Sequence, residues 1–524
     1  MVTRQTPIEQ AFELTFRAIF GECDVSLDEL KDYLLRYHPQ VTKSGSNLSG
    51  KDVLLSSDKY RVDGKFISHD EIDWKKQFSP LDINEIKDID SIIGAITDRI
   101  CYTGNKVFGN SHYVAETDNC FDSSYVYNAH NIHDSKYIAH SAFIRENSQY
   151  VFGSTYLLRS AFLIKAMWAD KLTRCFETYA SGFSSDLFFC YNCNDCAQAM
   201  FSFNLRSKRY AIGNLEVPKG KYFGLKKKLL KESAELIKRD KSFYSPFDIT
   251  GHFDKNAFAD LKHKRSPQEN VPAVLKKVDS GFSSTCKVIF DRQLGPLAEC
   301  EGLFGKVGEV KATKTVLGND IHYTDEFIFK HIPRERMVNS DEAEELGKLA
   351  ISVEGNEDLA DVFEKIKKIA FFRMDFYEGN CENFAESPLV YYSSDVYRVM
   401  DATSAKNCAY GTMVLRSEYC YGCFRILNSK FCINSYFSTN LARSFEMDAS
   451  NACSGAYFLH NCENVHDSMF CFNSKNLRNA IGNAPLSPSG FNKVKLSLLE
   501  QLCSEFERKK SLKWSIYRIG SARG

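Results

Sequence analysis

The sequence predicts a mainly β protein with α segments: two short parallel β-solenoids of about twelve residues per coil, each followed by a capping helix and preceded by a helical or mixed α+β segment. Three observations carry this reading. Taken every sixth residue from Cys408, the chain yields Val414, Cys420, Ile426, Cys432, Ser438, Ser444, Ser450, Ala456, Cys462, Ser468, Ser474 and Ala480, a column of small or apolar side chains. A beat of twelve marks larger ones, Tyr421, Ile433, Phe445, Tyr457, Met469 and Ile481. Neither period belongs to a helix or a single flat strand, so each dozen residues reads as one coil of a stack. Finally, Met200-Phe201-Ser202-Phe203-Asn204 returns as Met469-Phe470-Cys471-Phe472-Asn473, and Ala211-Ile212-Gly213-Asn214 as Ala480-Ile481-Gly482-Asn483, at one constant offset. The chain is a tandem duplication.

Residues 1–106 read as a helical or mixed region. Ala11, Phe12, Leu14, Phe16 and Ile19 give 7–20 a helical pattern, and Ser26 with Glu29 forms a capping box opening a second helix. The Gly- and Ser-rich stretch 42–51 reads as a loop, and 83–100 returns to helical character. The first solenoid is placed at 107–217, its beat carried by Tyr125, Tyr137, Tyr150 and Phe162, with one irregular spacing that marks an insertion or bulge. A capping helix and linker occupy 218–245, with Leu229, Leu230, Leu236 and Ile237 on its apolar face. Residues 246–376 read as a mixed α/β insert without a clear counterpart in the first unit. A connector spans 242–268, strand-like alternation runs over 286–332 (Val288, Phe290; Phe327, Ile328, Phe329), and one or two helices cover 341–369. The second solenoid is 377–485, and 486–524 is a C-terminal capping helix and tail, with Leu498, Leu499, Leu502 and Phe506 apolar. Such helices would cover unpaired strand edges at the end of a stack. Inside narrow coils stacked about 4.8 Å apart, only small or flat side chains fit, which selects Cys, Ser, Ala and Val.

At 524 residues the chain is long enough for two to four domains. Lys and Arg total 67 and Asp and Glu total 67, so no net field draws polyanions or anionic membrane. The 18 cysteines follow no signal peptide and read as reduced thiols of a cytoplasmic protein or a viral assembly component. No apolar run is long enough for a membrane span.

The segment Asn204-Leu205-Arg206-Ser207-Lys208-Arg209-Tyr210-Ala211-Ile212-Gly213-Asn214 resembles the closing signature of a group of uncharacterised Cys-, Asn- and Ser-rich dodecad-repeat β-solenoid proteins from uncultured candidate-phylum bacteria. In that group Asn-Leu-Arg, then Lys, Tyr, Ile and Asn, end a coil run before a Lys- and Glu-rich helix. Asn476-Leu477-Arg478-Asn479 echoes it in the second unit without the Lys and Tyr, and the paired-cysteine segments usual upstream in the group are missing here. The resemblance implies an architecture and carries no activity.

Cys190, Cys193 and Cys196 have the spacing of metal ligands, yet they fall on the columns that elsewhere hold Ser, Ala and Leu, so interior packing accounts for them and no metal or cofactor is expected. His133-Asp134-Ser135 and His466-Asp467-Ser468 contain triad residue types, but adjacent strand residues point to opposite faces, so they read as corner residues. Gly302, Gly305 and Gly308 lack a phosphate-loop context and read as turns. Lys226, Lys227, Lys228 and Lys231, with Arg508, Lys509, Lys510 and Lys513, form two basic clusters that would suit nucleic acid, although interleaved glutamates (Glu232, Glu235, Glu505, Glu507) also fit a solvated helix face.

The function expected is a non-enzymatic scaffold for protein–protein assembly, its partners being other proteins or copies of itself. The alternatives are a nucleic-acid- or ribonucleoprotein-associated binder working through the two basic helices, and an acyltransferase-like enzyme with a site in or next to 286–369.

Overall fold

The computed structural model describes residues 6–39, 41–61, 63–82, 86, 88–251, 270–304 and 309–520. Ile83, most of the 242–268 connector, Gly305 and Gly308 lie outside them. The described chain is mainly β, with two long sheets rich in parallel pairing, one in each half, and a long C-terminal helix. No helix among the described residues is long and apolar enough to cross a membrane.

The helices are α1 (Pro7–Phe20), α2 (Lys31–Leu35), α3 (Ile89–Ala95), α4 (Lys219–Asp240), α5 (Val271–Phe290), α6 (Glu301–Phe304), α7 (Ser340–Leu346), α8 (Leu359–Ile366) and α9 (Pro488–Lys509). Thr6 and Glu9 form a capping box on α1, Pro7 sits at its first position, and Ala11, Phe12 and Phe16 bury one face. The Ser26 and Glu29 box also forms, with Glu29 N–H on Ser26 Oγ at 3.2 Å, one turn before α2. Helices α4 and α9 each have 22 residues and each end on a left-handed lysine, Lys241 (φ 50°) and Lys510 (φ 55°).

The first sheet has 14 strands, from Val107–Phe108 to Leu215–Glu216, and the second 16, from Phe376–Glu378 to Ala484–Pro485. Partners lie twelve residues apart: Thr155 pairs with Met167, Phe176 with Phe188, Cys432 with Ser444, Phe445 with Tyr457. Lys136 pairs with Gln149 one residue later than this, and the extra residue falls at Glu146 and Asn147, both at positive φ. That is the expected bulge.

A three-residue rhythm underlies the twelve. Inward side chains recur every third residue (Leu163, Ala166, Ala169, Leu172, Cys175), and the residue before each is left-handed: Phe162, Lys165, Trp168, Lys171, Arg174, with φ between 52° and 58°. A left-handed backbone costs a non-glycine residue about 1–2 kcal/mol, so neighbouring steps must offset it repeatedly. Inward serines contribute. Ser123 Oγ donates to Phe121 O (2.8 Å) and accepts Ser135 N–H (3.0 Å); Ser429 Oγ donates to Leu427 O (2.9 Å) and accepts Leu441 N–H (3.0 Å). Backbone groups that the ladder leaves over are thereby paired indoors, where leaving one unpaired costs about 1–3 kcal/mol.

The two halves cap each other. Asn204 Nδ2 donates to Phe371 O (2.9 Å), Tyr191 OH to Arg373 O (2.6 Å), and Ile351 N–H to Gly213 O (2.9 Å), so the segment before the second sheet covers the far end of the first. Reciprocally, Asn473 Nδ2 donates to Cys101 O (2.8 Å), Thr103 N–H to His460 Nε2 (2.9 Å), and Arg99 Nη1 to Gly482 O (2.7 Å). These contacts use matching positions of the two repeats. Gly213 (φ +59°) faces Ile351 and Gly482 (φ +57°) faces Ile96, where a Cβ would overlap the isoleucine side chain. Gly213→Ala or Gly482→Ala is expected to cost about 2–4 kcal/mol in urea denaturation, from overlap plus left-handed strain, and a loss below 1 kcal/mol would show that the caps yield.

Four readings are corrected. Cys286, Val288 and Phe290 lie in α5, whose buried Val274, Val278, Phe282, Cys286 and Ile289 follow a helical stripe, and Phe327–His331 is a 3-10 helix. The 42–51 loop contains the strand Thr42–Gly45, paired antiparallel with Asp52–Leu55. The 246–376 region is no insert: its hairpin (Val310–Lys314 with Asp320–Thr324), parallel pair (Met337–Val338 with Phe372–Arg373) and α8 repeat the order of Thr42–Gly45 with Asp52–Leu55, Phe66–Ser68 with Tyr102–Gly104, and α3. Sequence divergence hid a counterpart that the topology keeps. Gly302 stands in α6 and not in a turn.

Candidate functional site

The cysteine rows are built as serine rows are. Cys190 Sγ donates to Phe188 O (3.5 Å) and Ala199 O (3.6 Å), Cys193 to Tyr191 O and Ser202 O, Cys196 to Asn194 O and Leu205 O. All three are buried, and among the described residues no three His, Cys, Asp or Glu side chains are placed to hold a metal ion. Of the 18 free cysteines, Cys23, Cys101 and Cys381 are half-buried and the rest buried. Thiol titration of the native chain is expected to find at most these three reacting fast, and all of them only in denaturant; more than three fast thiols would show that the sheets open readily.

In the His-Asp-Ser tripeptides each serine hydroxyl donates to the histidine's own carbonyl, Ser135 to His133 O and Ser468 to His466 O, both at 2.7 Å. His466 contacts Ser454 Oγ through Nδ1 and Asn464 Oδ1 through Nε2, each at 2.8 Å. Neither tripeptide brings a hydroxyl onto its own imidazole.

The basic helices are largely engaged. Lys226 Nζ donates to Gln198 Oε1 (2.8 Å), and Lys228 to Gly355 O and Glu357 O (2.8 Å each). Lys231 lies 3.9 Å from Glu235, Lys509 2.9 Å from Glu505, Lys510 3.3 Å from Glu299, and Lys513 2.9 Å from Asp90. Lys227 and Arg508 are exposed.

Two places were not marked by sequence. In one, Lys165 is fully buried on the first sheet, its Nζ without a hydrogen-bond partner among the described residues, 4.4 Å from the Tyr37 ring centre and 5.1 Å from that of Tyr33. Twelve residues on, buried Glu177 accepts Tyr33 OH and Tyr179 OH, each at 2.5 Å. Burial pulls the ammonium down to about 8 against the attraction of Glu177, and pushes the carboxyl up to about 7. The sequence signal is a Lys and a Glu twelve apart, followed in the same column by Phe189 and Phe201. The cluster ties α2 and the segment after α4 to the sheet, since Tyr33 belongs to α2 and Arg36 pairs with Asp248.

The other place is the start of the first sheet. Strand His112–Ala115 pairs on one side with Ser124–Tyr127 and, among the described residues, with nothing on the other. A cleft of about 340 Å³ separates it from the hairpin, with Leu54, Val107 and Val114 as apolar floor and Lys43, Asp52 and Glu116 around it. Tyr113, 75% exposed, begins a ladder of rings through Tyr125, Tyr137, Tyr150 and Phe162, with centres 4.7–4.9 Å apart. Among the described residues Tyr113 has a ring neighbour on one face alone.

No family model matches the chain, and no curated protein matches it. Among solved structures it is similar to a "putative acetyltransferase" from Desulfovibrio desulfuricans G20, at 10% identity, over 87% of this chain and 76% of that one, with a TM-score of 0.11. A score that low reports no shared fold.

Proposed function

We propose that each half is a β-solenoid of twelve-residue coils and that the pair is a non-enzymatic scaffold for protein assembly. The observation that carries this reading is the unlike treatment of the two ends of the first sheet. Its far end is sealed by α4 and by the segment 337–373 of the other repeat, whereas strand His112–Ala115 near its start keeps a free edge and a bare tyrosine face. Natural sheets blunt or cover such edges unless something pairs with them. The outward columns support the reading too, because stacked rings and ion pairs across steps hold those faces rigid: Arg174 on Asp186 (2.8 Å), Lys430 on Glu418 (2.8 Å), Lys475 on Glu463 (2.7 Å). Reduced thiols throughout both interiors fit a reducing compartment. The nucleic-acid reading draws less support, since most of its basic side chains already face carboxylates or carbonyls.

The test is purification from the source under native, reducing conditions, with mass spectrometry of what co-elutes and the size of the complex. Discrete protein partners or a stable oligomer free of nucleic acid are expected. RNA or DNA that leaves with salt would favour the nucleic-acid reading, and a bare monomer would overturn both binding readings.

A further inference from the structure

Several acids on the outward columns of this fold find a cation one step away, although among the described residues Asp122 and Asp134 face each other without one. Asp186 has Arg174, Glu418 has Lys430, Glu463 has Lys475, and Glu386, near the start of the second sheet, has Arg398 at 2.8 Å. Glu116 holds the position of Glu386 in the first repeat: each follows an alanine closing the corresponding strand, and the two share a left-handed backbone, with φ of 49° and 47°. Yet the residue twelve on from Glu116, matching Arg398, is Asn128, whose amide is turned to His140 Nδ1 at 3.2 Å. The position twelve before Glu116 is Gly104, which brings no charge, and the cleft borders Glu116. Glu116 is exposed there with Asp52 opposite, and among the described residues neither carboxylate has an ion pair. Three residues earlier on the same edge, Tyr113 presents its bare ring face in the same direction along the stack.

We infer that the cleft between the Thr42–Leu55 hairpin and the strand His112–Ala115 receives an extended segment of a protein partner, added as one more strand, with an aromatic residue on Tyr113 and an arginine or lysine three residues later on Glu116. The proposal rests on the scaffold reading and names the chemistry of its partner. The spacing of three is imposed by the edge, where Tyr113 and Glu116 are successive left-handed residues of the rhythm that sets every ladder in the molecule. Lys43 at the rim disfavours a second basic residue beside it, and the apolar floor of Leu54, Val107 and Val114 asks for a small aliphatic side chain between aromatic and cation.

The probe is a labelled, end-blocked heptapeptide, Ser-His-Tyr-Val-Ala-Arg-Thr, which copies residues 111–117 with arginine in place of the glutamate, titrated onto the full chain by fluorescence anisotropy. Binding with a Kd below about 1 mM is expected. Citrulline in place of arginine, or Glu116→Gln in the protein, should weaken it about tenfold, the loss of one charge-assisted pair. Asn128→Arg, which supplies Glu116 with the arginine the second repeat already has, should abolish the dependence on the peptide's charge. No binding at 1 mM, equal binding of the citrulline peptide, or indifference to Glu116→Gln would overturn the proposal. Glu116 is exposed, so that variant decides even where Asn128→Arg fails to fold. If partners co-purify equally with wild type and Glu116→Gln, the scaffold reading stands and this site falls; a chain with no partners overturns the scaffold reading whatever the peptide does.

Discussion

Above pH 9 the chain is expected to lose its fold over about one to two pH units, well before ordinary surface chemistry would require it. The cause is the cysteine interior. Cys120, Cys175 and Cys471 are pushed up to about 12 and Cys453 to about 11 from an ordinary value near 9, chiefly by burial, and buried Cys420 and Cys462 are raised well above it for the same reason. These groups keep their protons in the native state, whereas the unfolded chain gives them up once the pH passes 9. Stability is therefore complete below that pH and is lost as pH rises through the window up to the folded values. Each thiol contributes about 1.4 kcal/mol per pH unit, so six together approach 8 kcal/mol per unit, against a total stability on the order of 5–15 kcal/mol. Lys165 works in the opposite direction, since its folded value of about 8 lies below the unfolded one and its cost fades as pH rises to about 10.5; Lys59, Lys226 and Lys495, which burial also lowers, and Cys193 act with it, but the raised thiols outnumber them. Thermal melts followed by circular dichroism in reductant should show Tm falling by about 5 °C or more between pH 9 and 10. Equal melting temperatures at pH 8.5 and 10 would mean that the thiols reach solvent in the native state.

The same thiols show what could be read beforehand and what could not. Cys408, Cys420 and Cys432 are legible as one inward column because inward positions repeat strictly and tolerate little, and the matched helices α4 and α9 were legible from their apolar stripes. The three-residue rhythm beneath the twelve was not. Its left-handed positions carry Tyr, Phe, Arg and Lys as freely as Asn, so the usual signature of such a backbone, glycine, is missing at Phe162, Lys165 and Trp168. The α5 stripe was missed because alternation over Cys286 to Phe290 resembles a strand until the window extends back to Val274. The reciprocal caps lay out of reach for a different reason. They join Asn204 to Phe371 and Asn473 to Cys101 across the two repeats, and no local pattern reports a contact of that span. Likewise the edge at Tyr113 and Glu116 became a site only when Arg398 of the second repeat showed what the first repeat lacks.

Removing the side chain of Arg425 should be among the most damaging single changes outside the interiors. It projects from the second half into a cage of rings: its guanidinium carbon lies 3.4 Å from the centre of Phe143, 4.8 Å from Phe424, 5.1 Å from Phe327, 5.2 Å from Phe437 and 5.3 Å from Tyr156. One terminal nitrogen donates to Tyr156 OH, while Nε is buried without a hydrogen-bond partner among the described residues. Burial lowers the guanidinium to about 10, which leaves it charged at neutral pH and held by ring faces and one hydroxyl without a paired carboxylate. Arg425→Ala opens a void between the halves and strips Tyr156 OH of its donor, so about 3–5 kcal/mol should be lost. Arg425→Met keeps most of the volume and gives up a costly buried charge, and should lose only about 1–2 kcal/mol, the share of the Tyr156 hydrogen bond. Lysine is the informative third substitution. It keeps the charge as a compact ammonium that cannot lie flat on Phe143, so it should fall near alanine if planar stacking matters and near wild type if charge alone does. Urea denaturation of the three variants separates these terms, because equal losses for Ala and Met would assign the whole effect to the hydrogen bond, and a silent Ala variant would mean that the reciprocal caps alone hold the halves together.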